Sequence, residues 1–206
     1  MALARLYYIH DPMCSWCWAF APTWAALRAA LPEGVSSERL LGGLAPDSTT
    51  PMPPQQRQQI QQTWRHIEHN LGTPFNHAFW TECTPVRSTY PACRAVIAAR
   101  FWDAEDAMIR AIQEAYYLNA QNPAEPSTLV SCAHALGLPV EAFAERLYSE
   151  QTEIRLQEEI QRCVEWGVRG FPSLVLTFRD KRYNLTVDYN HPQHMADEIY
   201  TLLGMH

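Results

Sequence analysis

Apolar residues form short runs near both ends of the chain and follow helical spacing between them. The run Leu6-Tyr7-Tyr8-Ile9 predicts a buried strand over residues 5–10. A helix is predicted over 14–31, where Pro32-Glu33-Gly34 ends it. A second strand is predicted from Ser37 to Leu44, parallel to the first, because a strand-helix-strand unit returns by a right-handed crossover.

The middle of the chain, from about residue 53 to 166, shows only helical periodicity. A Pro/Thr/Ser connector from Pro46 to Pro54 leads into it, and Gln55 to Gln62 indicates the solvated face of a helix. Apolar side chains recur at i, i+4 and i+7 in the last helix, at Leu156, Ile160 and Cys163. Helices are predicted over 91–102, 103–119, 127–136, 139–148 and 152–166.

Strand patterns return near the carboxyl end. Residues 174–178 and 182–187 predict an antiparallel pair, and 192–203 a closing helix with Met195, Ile199 and Leu202 facing inward. The predicted fold class is therefore α/β, with a large all-helical insertion between β-α-β and β-β-α halves. Its domains would be a discontinuous core of residues 1–52 and 167–206 and an inserted helical domain of residues 53–166.

Composition narrows the function classes. The 206 residues, 47% of them hydrophobic, suffice for a substantial core. A net charge of −6 argues against a nucleic-acid partner, because no basic stripe is available to neutralise phosphates. No apolar run approaches the roughly 18 residues of a membrane span, and no basic and apolar leader precedes the first strand. We therefore expect a cytoplasmic protein with neither nucleic acid nor membrane as partner.

The first predicted helix opens with Cys14-Ser15-Trp16-Cys17. Two cysteines at this spacing at a helix start lie within disulfide-bonding distance. Unpaired backbone N–H groups and the helix dipole should stabilise a thiolate at Cys14 and lower its pKa. This arrangement makes Cys14 the nucleophile. Cys17, one turn further in, can attack a mixed disulfide on Cys14 and release the product.

Two other interpretations of this motif are weaker. A structural zinc site usually takes two C-x-x-C pairs, and the sequence has one; the closely spaced ligands His191 and His194 lie far along the chain. A purely structural disulfide with so short a loop would restrict the unfolded chain little. We predict no metal site, and the remaining cysteines are expected to be mostly buried free thiols: Cys83, Cys93, Cys132 and Cys163.

Several polar residues could also take part. Asp11 could tune the thiols, although a turn residue set by Pro12 is the favoured interpretation. His10 ends the first strand close to the motif and could stabilise a thiolate if protonated, but an incidental role is favoured. His66 and His69, three apart on one helix, could touch a metal, but surface side chains are the favoured interpretation.

A second motif, Gly167-Val168-Arg169-Gly170-Phe171-Pro172, lies just ahead of the β-rich run Ser173 to Phe178. Proline there can only start a strand, and X-Pro is the one peptide bond that is often cis.

Together these motifs resemble the thioredoxin superfamily, more closely the DsbA-type thiol-disulfide oxidoreductases, in the branch of predicted disulfide isomerases that includes FrnE-like proteins. The resemblance spans nearly the whole chain. It implies that Pro172 is cis and that Phe171 lies beside Cys14, offering its backbone to an extended peptide. The residues that carry it are 11–18, Gly42-Gly43-Leu44, Pro91-Ala92, Arg94-Ala95-Val96 and 170–174.

The expected function is that of a thiol-disulfide oxidoreductase or isomerase acting on protein or peptide thiols. Trp16, Trp18, Phe171 and Pro172 would form the substrate groove beside Cys14, under a cap of inserted helices. No cofactor is expected beyond glutathione as a redox partner. The alternative is a glutathione-dependent small-molecule isomerase or kappa-class transferase, which shares the core. Those relatives generally keep a Ser at the position of Cys14 and need no resolving thiol, so the two cysteines favour the first class.

Overall fold

The computed structural model describes residues 4–205 and contains a mixed four-stranded sheet. Strand β1 (Ala4–His10) pairs in parallel with β2 (Val35–Leu41) and antiparallel with β3 (Ser173–Phe178). Strand β4 (Lys181–Leu185) completes the order β2-β1-β3-β4 by pairing antiparallel with β3. The two ends of the chain therefore build one sheet, as the strand patterns predicted.

Helices account for most of the other described residues. Between β1 and β2 lies α1 (Ser15–Ala29), and after β4 comes α9 (Pro192–Leu203). A 3-10 turn, Arg100–Trp102, follows α4. Between β2 and β3 the helices are α2 (Pro54–Leu71), α3 (Phe79–Glu82), α4 (Tyr90–Ala99), α5 (Glu105–Tyr117), α6 (Pro126–Ala135), α7 (Val140–Leu147) and α8 (Glu150–Glu165).

The predicted boundaries differ from these in two informative places. The second strand was predicted to reach Leu44 but ends at Leu41, because Gly43 adopts φ +62° and turns the chain out of the sheet. The helix predicted over 91–102 is α-helical only to Ala99; it tightens and stops at Asp103, which has φ +53°. The short helix α3 was not predicted separately.

Side chains of β1 alternate between the two faces of the sheet, as the period of a strand requires. Leu6 and Tyr8 pack with buried residues of α1 and α9, including Phe20 and Ile199. On the opposite face Tyr7 and Ile9 pack with Leu40, Val175 and Cys163, the last from α8. Helices therefore cover both faces, and β1 is buried almost throughout.

The helices between β2 and β3 have a core of their own around Trp64, whose ring lies 4.9 Å from those of Phe75 and Trp80 and 5.4 Å from that of Tyr117. Met13, Ala19 and Leu41 belong to the same cluster, so these helices pack against the start of α1 and the end of β2. The division of the chain at residues 52/53 and 166/167 stays a prediction. Within residues 4–205, no helix has the length and apolarity that crossing a membrane would need.

Candidate active site

The motif cysteines occupy the first turn of α1. Cys14 is the residue that caps the helix, with φ −85° and ψ 116°, and its carbonyl accepts the hydrogen bond of the Trp18 N–H at 3.0 Å. Cys14 is 7% exposed and Cys17 is fully buried. The six cysteines, all within the described residues, are free thiols. Both thiols are therefore buried, and Cys14 is the one of the pair that retains some contact with solvent.

The environments of the two thiols separate their pKa values. A hydrogen bond from the Cys17 thiol is the main cause that lowers the pKa of Cys14, and the backbone N–H groups of Cys17 and Trp16 add to it. Burial raises the pKa of Cys17 well above its usual value, and the hydrogen bond with Cys14 raises it further. The backbone N–H groups at the helix start therefore help to lower the pKa of Cys14, but the thiol of Cys17 lowers it more. Cys14 is therefore the more acidic thiol of the pair, and Cys17 is the one that keeps its proton to higher pH.

The loop before β3 lies against this helix start. The Phe171–Pro172 peptide bond is cis. The Cys14 thiol donates a hydrogen bond to the carbonyl oxygen of Phe171 at 3.5 Å. On the other side of Phe171, a Cβ placed at Gly42 would come within 2.0 Å of the aromatic ring. Only glycine leaves room for the ring there. The Gly42-Gly43 pair therefore provides the close packing near the site that its sequence indicated.

Asp11 lies buried beneath the motif and does more than set a turn. Its Oδ1 accepts the Met13 N–H at 2.8 Å, which is the expected turn contact. Its Oδ2 accepts the Leu44 N–H at 2.7 Å and the Thr89 hydroxyl at 2.6 Å. Burial raises the pKa of Asp11, while these bonds lower it. One carboxylate therefore joins the motif loop, the turn after β2 and the start of α4, and its charge raises the pKa of both motif thiols.

His10 is not placed to act as a cation. Its ring stacks on Tyr8 with centroids 4.8 Å apart, and neither ring nitrogen has a hydrogen-bond partner among the described residues. Burial, with the nearby charges of Arg39 and Arg100, lowers the pKa of His10 well below its usual value. A neutral imidazole cannot stabilise the Cys14 thiolate by charge.

The two tryptophans expected in a groove have different surroundings. Trp16, within the motif, lies between the rings of His66 and Tyr189, at centroid distances of 5.8 Å and 5.5 Å. Trp18 instead stacks on Tyr117 at 5.7 Å and donates its indole N–H to the Pro74 carbonyl at 3.1 Å. It lines a cavity of about 740 Å³ to which none of Cys14, Cys17 and Phe171 contributes. Trp18 therefore anchors α1 to the helices between β2 and β3.

The other cysteines are poor nucleophiles. Burial raises the pKa of Cys93 well above its usual value, that of Cys132 to about 11 and that of Cys163 to about 12. Burial also raises the pKa of Cys83, whose thiol donates to the Ala120 carbonyl at 3.0 Å. Among the six thiols, only that of Cys14 has a lowered pKa.

One buried residue near the site escaped sequence analysis. Glu159 of α8 is 1% exposed and accepts the Leu41 N–H at 2.8 Å, one residue before Gly42. Its carboxylate also pairs with Arg100 and, at 3.0 Å, with Arg155. The sequence did contain a signal, because position 159 falls on the apolar stripe of Leu156 and Cys163. A charged residue on such a stripe requires a buried partner.

Known proteins share the fold that carries these residues. A family model described as Thioredoxin matches residues 7–197. The chain belongs to the thioredoxin family. A crystal structure from Nitrosomonas europaea, of a protein inferred to be a protein disulfide isomerase, is similar with a TM-score of 0.84 and 31% identity, covering 98% of each chain. The chain is also similar to the cytosolic disulfide reductase DsbM from Pseudomonas aeruginosa, with a TM-score of 0.79 and 25% identity over 97% of this chain and 98% of that one.

These likenesses confirm the α/β thioredoxin-like fold of DsbA type, and structures named DsbA share it at lower identity. They support thiol-disulfide oxidoreductase activity in the broad sense. Among curated proteins, the chain is 27% identical over 203 residues to the ClpXP adapter protein SpxH of Halalkalibacterium halodurans. The match covers 95% of this thioredoxin-family chain but only 66% of the relative's length.

Proposed function

We propose that the chain exchanges thiols and disulfides with protein or peptide substrates, with Cys14 as nucleophile and Cys17 as resolving thiol. The observation that carries the proposal is the position of Cys14. It is the one thiol with a lowered pKa, it is the more exposed of the pair, and it lies 3.5 Å from the carbonyl that precedes the cis-proline. Nucleophile, resolving thiol and peptide-binding backbone therefore meet at one point.

In the reducing direction the Cys14 thiolate attacks one sulfur of a substrate disulfide. A Cys14–substrate disulfide forms, the substrate S–S bond breaks, and the departing thiolate takes up a proton. Cys17 then loses its proton, and its sulfur attacks Cys14, which releases the second substrate thiol and leaves a Cys14–Cys17 disulfide. Two electrons pass from the protein to the substrate. Oxidation is the reverse, and isomerisation resolves the mixed disulfide within the substrate without net electron transfer.

The Phe171 backbone is the proposed substrate-binding element. An extended peptide that pairs with the backbone just before β3 would place its sulfur at Cys14, as in strand addition to a sheet edge. Pro172 follows Phe171 through the cis bond just ahead of β3, and Trp16 of the motif adds an apolar surface beside Tyr189. Trp18 is withdrawn from this groove, because its ring and its indole N–H are both engaged elsewhere.

Glutathione is the proposed redox partner, and the cytoplasm the proposed location. DsbM, described above as similar, is named a cytosolic disulfide reductase, and one of its structures is with GSH. In a glutathione-rich compartment, two glutathione thiols would supply the electrons that reduce Cys14–Cys17 and leave as the glutathione disulfide. This partner supports net reduction or isomerisation of substrate disulfides over net oxidation.

The glutathione-dependent small-molecule enzyme is the competing proposal. A small substrate would need a pocket at Cys14, whereas the half-open cavity of about 740 Å³ lies at Trp18 and His10 and is lined by neither motif cysteine. Such an enzyme would also have no use for a buried thiol directly behind the nucleophile. The pairing of Cys14 with Cys17 therefore favours protein or peptide substrates.

The deciding experiment measures the Cys14–Cys17 equilibrium with glutathione, together with insulin reduction and recovery of a scrambled disulfide protein. We expect activity with protein substrates that Cys14→Ser abolishes. Cys17→Ser should instead accumulate mixed disulfides, because attack is retained and resolution is lost. Cys132→Ser, which removes a buried thiol of raised pKa, is the matched control and should behave like wild type. Failure of Cys17→Ser to trap any protein thiol would move the assignment to the small-molecule class.

A further inference from the structure

Three metal-ligating side chains meet at the start of α9, outside the proposed redox site. One ligand atom from each of Asp188, His191 and His194 lies within 4.8 Å of the others. The Asp188 Oδ2 atom is 3.2 Å from His191 Nδ1 and 3.0 Å from His194 Nδ1, and the imidazole rings stack with centroids 4.7 Å apart. The sequence spacing showed only the two histidines. The tertiary structure adds the carboxylate.

The spacing of these atoms suits an ion between them. Zinc binds imidazole nitrogen and carboxylate oxygen at about 2.0–2.2 Å in tetrahedral geometry, which places neighbouring ligand atoms about 3.3–3.5 Å apart. Both Asp188–histidine contacts are hydrogen bonds, and their lengths are within a few tenths of an ångström of that value, so an ion can replace the bonding protons with little movement of the ligands. Both histidine side chains are more than 60% exposed, so an ion and its remaining water ligands have free access.

The carboxylate is held in the orientation that a ligand needs. Asp188 Oδ1 accepts the backbone N–H groups of Asn190 and His191, both at 2.9 Å. These bonds leave Oδ2 directed at the Nδ1 atoms of the two imidazoles. Bonding of the free oxygen of a ligating carboxylate is the outer-shell support seen at metal sites. The negative charge also offsets the positive end of the α9 dipole, which by itself would repel a cation.

We propose that Asp188, His191 and His194 form a binding site for a divalent transition metal ion of the zinc type. Two imidazoles and one carboxylate are ligands of borderline softness, which suit Zn²⁺, Co²⁺ or Ni²⁺ and not Mg²⁺ or Ca²⁺, which prefer all-oxygen sites. Three protein ligands leave at least one coordination position for water or a further ligand.

The site is coupled in space to the redox motif through one residue. Tyr189 follows Asp188 directly; its ring lies 5.5 Å from that of Trp16 and 5.6 Å from that of Phe20, and its carbonyl accepts the Thr23 hydroxyl at 2.5 Å. An ion that joins the two ends of the 188–194 turn therefore holds Tyr189 against α1. Metal binding should stabilise this wall beside Trp16 without occupying Cys14.

Zinc titration by calorimetry tests the site, on protein whose Cys14–Cys17 pair has been oxidised so that the motif thiols cannot bind the ion. We expect one Zn²⁺ per chain and a higher melting temperature with zinc. Loss of an outer-shell partner costs about 10–100-fold in affinity, so losing a ligand in His191→Gln, His194→Gln or Asp188→Asn should cost at least about tenfold. The matched control is His66→Gln with His69→Gln, a second exposed pair three residues apart, which should bind zinc like wild type.

Cobalt gives a readout that identifies the ligands. Co²⁺ bound at this site should show the visible absorption of a nitrogen and oxygen environment and no thiolate charge-transfer band. Absence of stoichiometric zinc binding by the oxidised protein would overturn the proposal. So would unchanged affinity in the His191→Gln/His194→Gln protein, or a thiolate band with cobalt, because each would place the ion elsewhere. The oxidoreductase assays above do not depend on this outcome.

Discussion

The Cys14 thiol and the Phe171 carbonyl oxygen, 157 residues apart in sequence, lie 3.5 Å from each other. The contact joins the first turn of α1 to the loop that enters β3, and it exists because β1 and β3 are neighbours in the sheet. A substrate strand that paired with this loop would meet the nucleophile at once. Small changes in the packing of Phe171 should therefore affect catalysis.

Gly42→Ala should disturb that packing. The added methyl group would lie 2.0 Å from the Phe171 ring, so the ring and the cis-proline loop must move. Overpacking of this kind costs about 1–3 kcal/mol, and we expect both a loss of stability of that size and a fall in activity. Chemical denaturation and insulin reduction measure the two effects. Gly170→Ala is the control, because its Cβ would meet no described atom within 4 Å; equal effects of the two changes would contradict the packing argument.

Cys17→Ala should slow the alkylation of Cys14 at mildly acidic pH. The Cys17 thiol is the main cause of the lowered Cys14 pKa, so its removal raises that pKa and leaves less thiolate below it. A hydrogen bond to a charged group is worth about 1.5–3 kcal/mol, which predicts a rate loss of roughly tenfold or more. The rates should converge at high pH, where every Cys14 is ionised.

Cys17→Ser provides the comparison for this measurement, since its hydroxyl can still donate to Cys14. We expect a smaller rate loss than with alanine.

In wild-type protein, mass spectrometry after brief labelling should find Cys14 modified and Cys17 intact. Preferential labelling of Cys17 would reverse the assignment of nucleophile and resolving thiol.

Trp16→Ala should weaken the binding of peptide substrates. Removal of an aromatic side chain from a contact surface commonly costs more than 1 kcal/mol, so KM for a peptide disulfide should rise by roughly tenfold, while the rate with a small disulfide reagent changes little. Trp18→Ala is the matched change; because Trp18 stacks on Tyr117 and bonds to Pro74, it should instead lower the melting temperature. If Trp16→Ala slowed both reactions equally, Trp16 would tune the thiol and the groove would have to be abandoned.

Glu159→Ala should destabilise the protein strongly. It removes a buried charge that pairs with Arg100 and leaves the Leu41 N–H without its acceptor, a loss of about 3–5 kcal/mol in unfolding free energy. The neighbouring Glu158 forms only an exposed pair with Arg155, so Glu158→Ala should cost less than about 1 kcal/mol. Urea denaturation of the two proteins measures the difference, and equal midpoints would refute the role given to Glu159.

The sequence by itself determined the order of the main elements and the choice of Cys14 and Cys17 as the proposed redox pair. The strand period of two residues and the helix period of 3.6 are local properties of the sequence. A C-x-x-C pair at a helix start has both thiols within one helical turn, so Cys14 and Cys17 could be singled out without long-range information. The resemblance extended this to the thioredoxin-like fold, which the family match and the similar structures confirmed.

Only the tertiary structure decided what surrounds that pair. The partners of Asp11 lie at Leu44, Thr89 and Cys93, and Glu159 reaches Leu41 across 118 residues; no local pattern contains such pairings. Trp16 and Trp18 look alike in sequence, but they differ by about 200° around a helix, so Trp16 packs beside Tyr189 and Trp18 packs on Tyr117. The carboxylate that joins His191 and His194 is likewise placed by the turn before α9, because a side chain's direction there depends on backbone geometry and not on spacing alone.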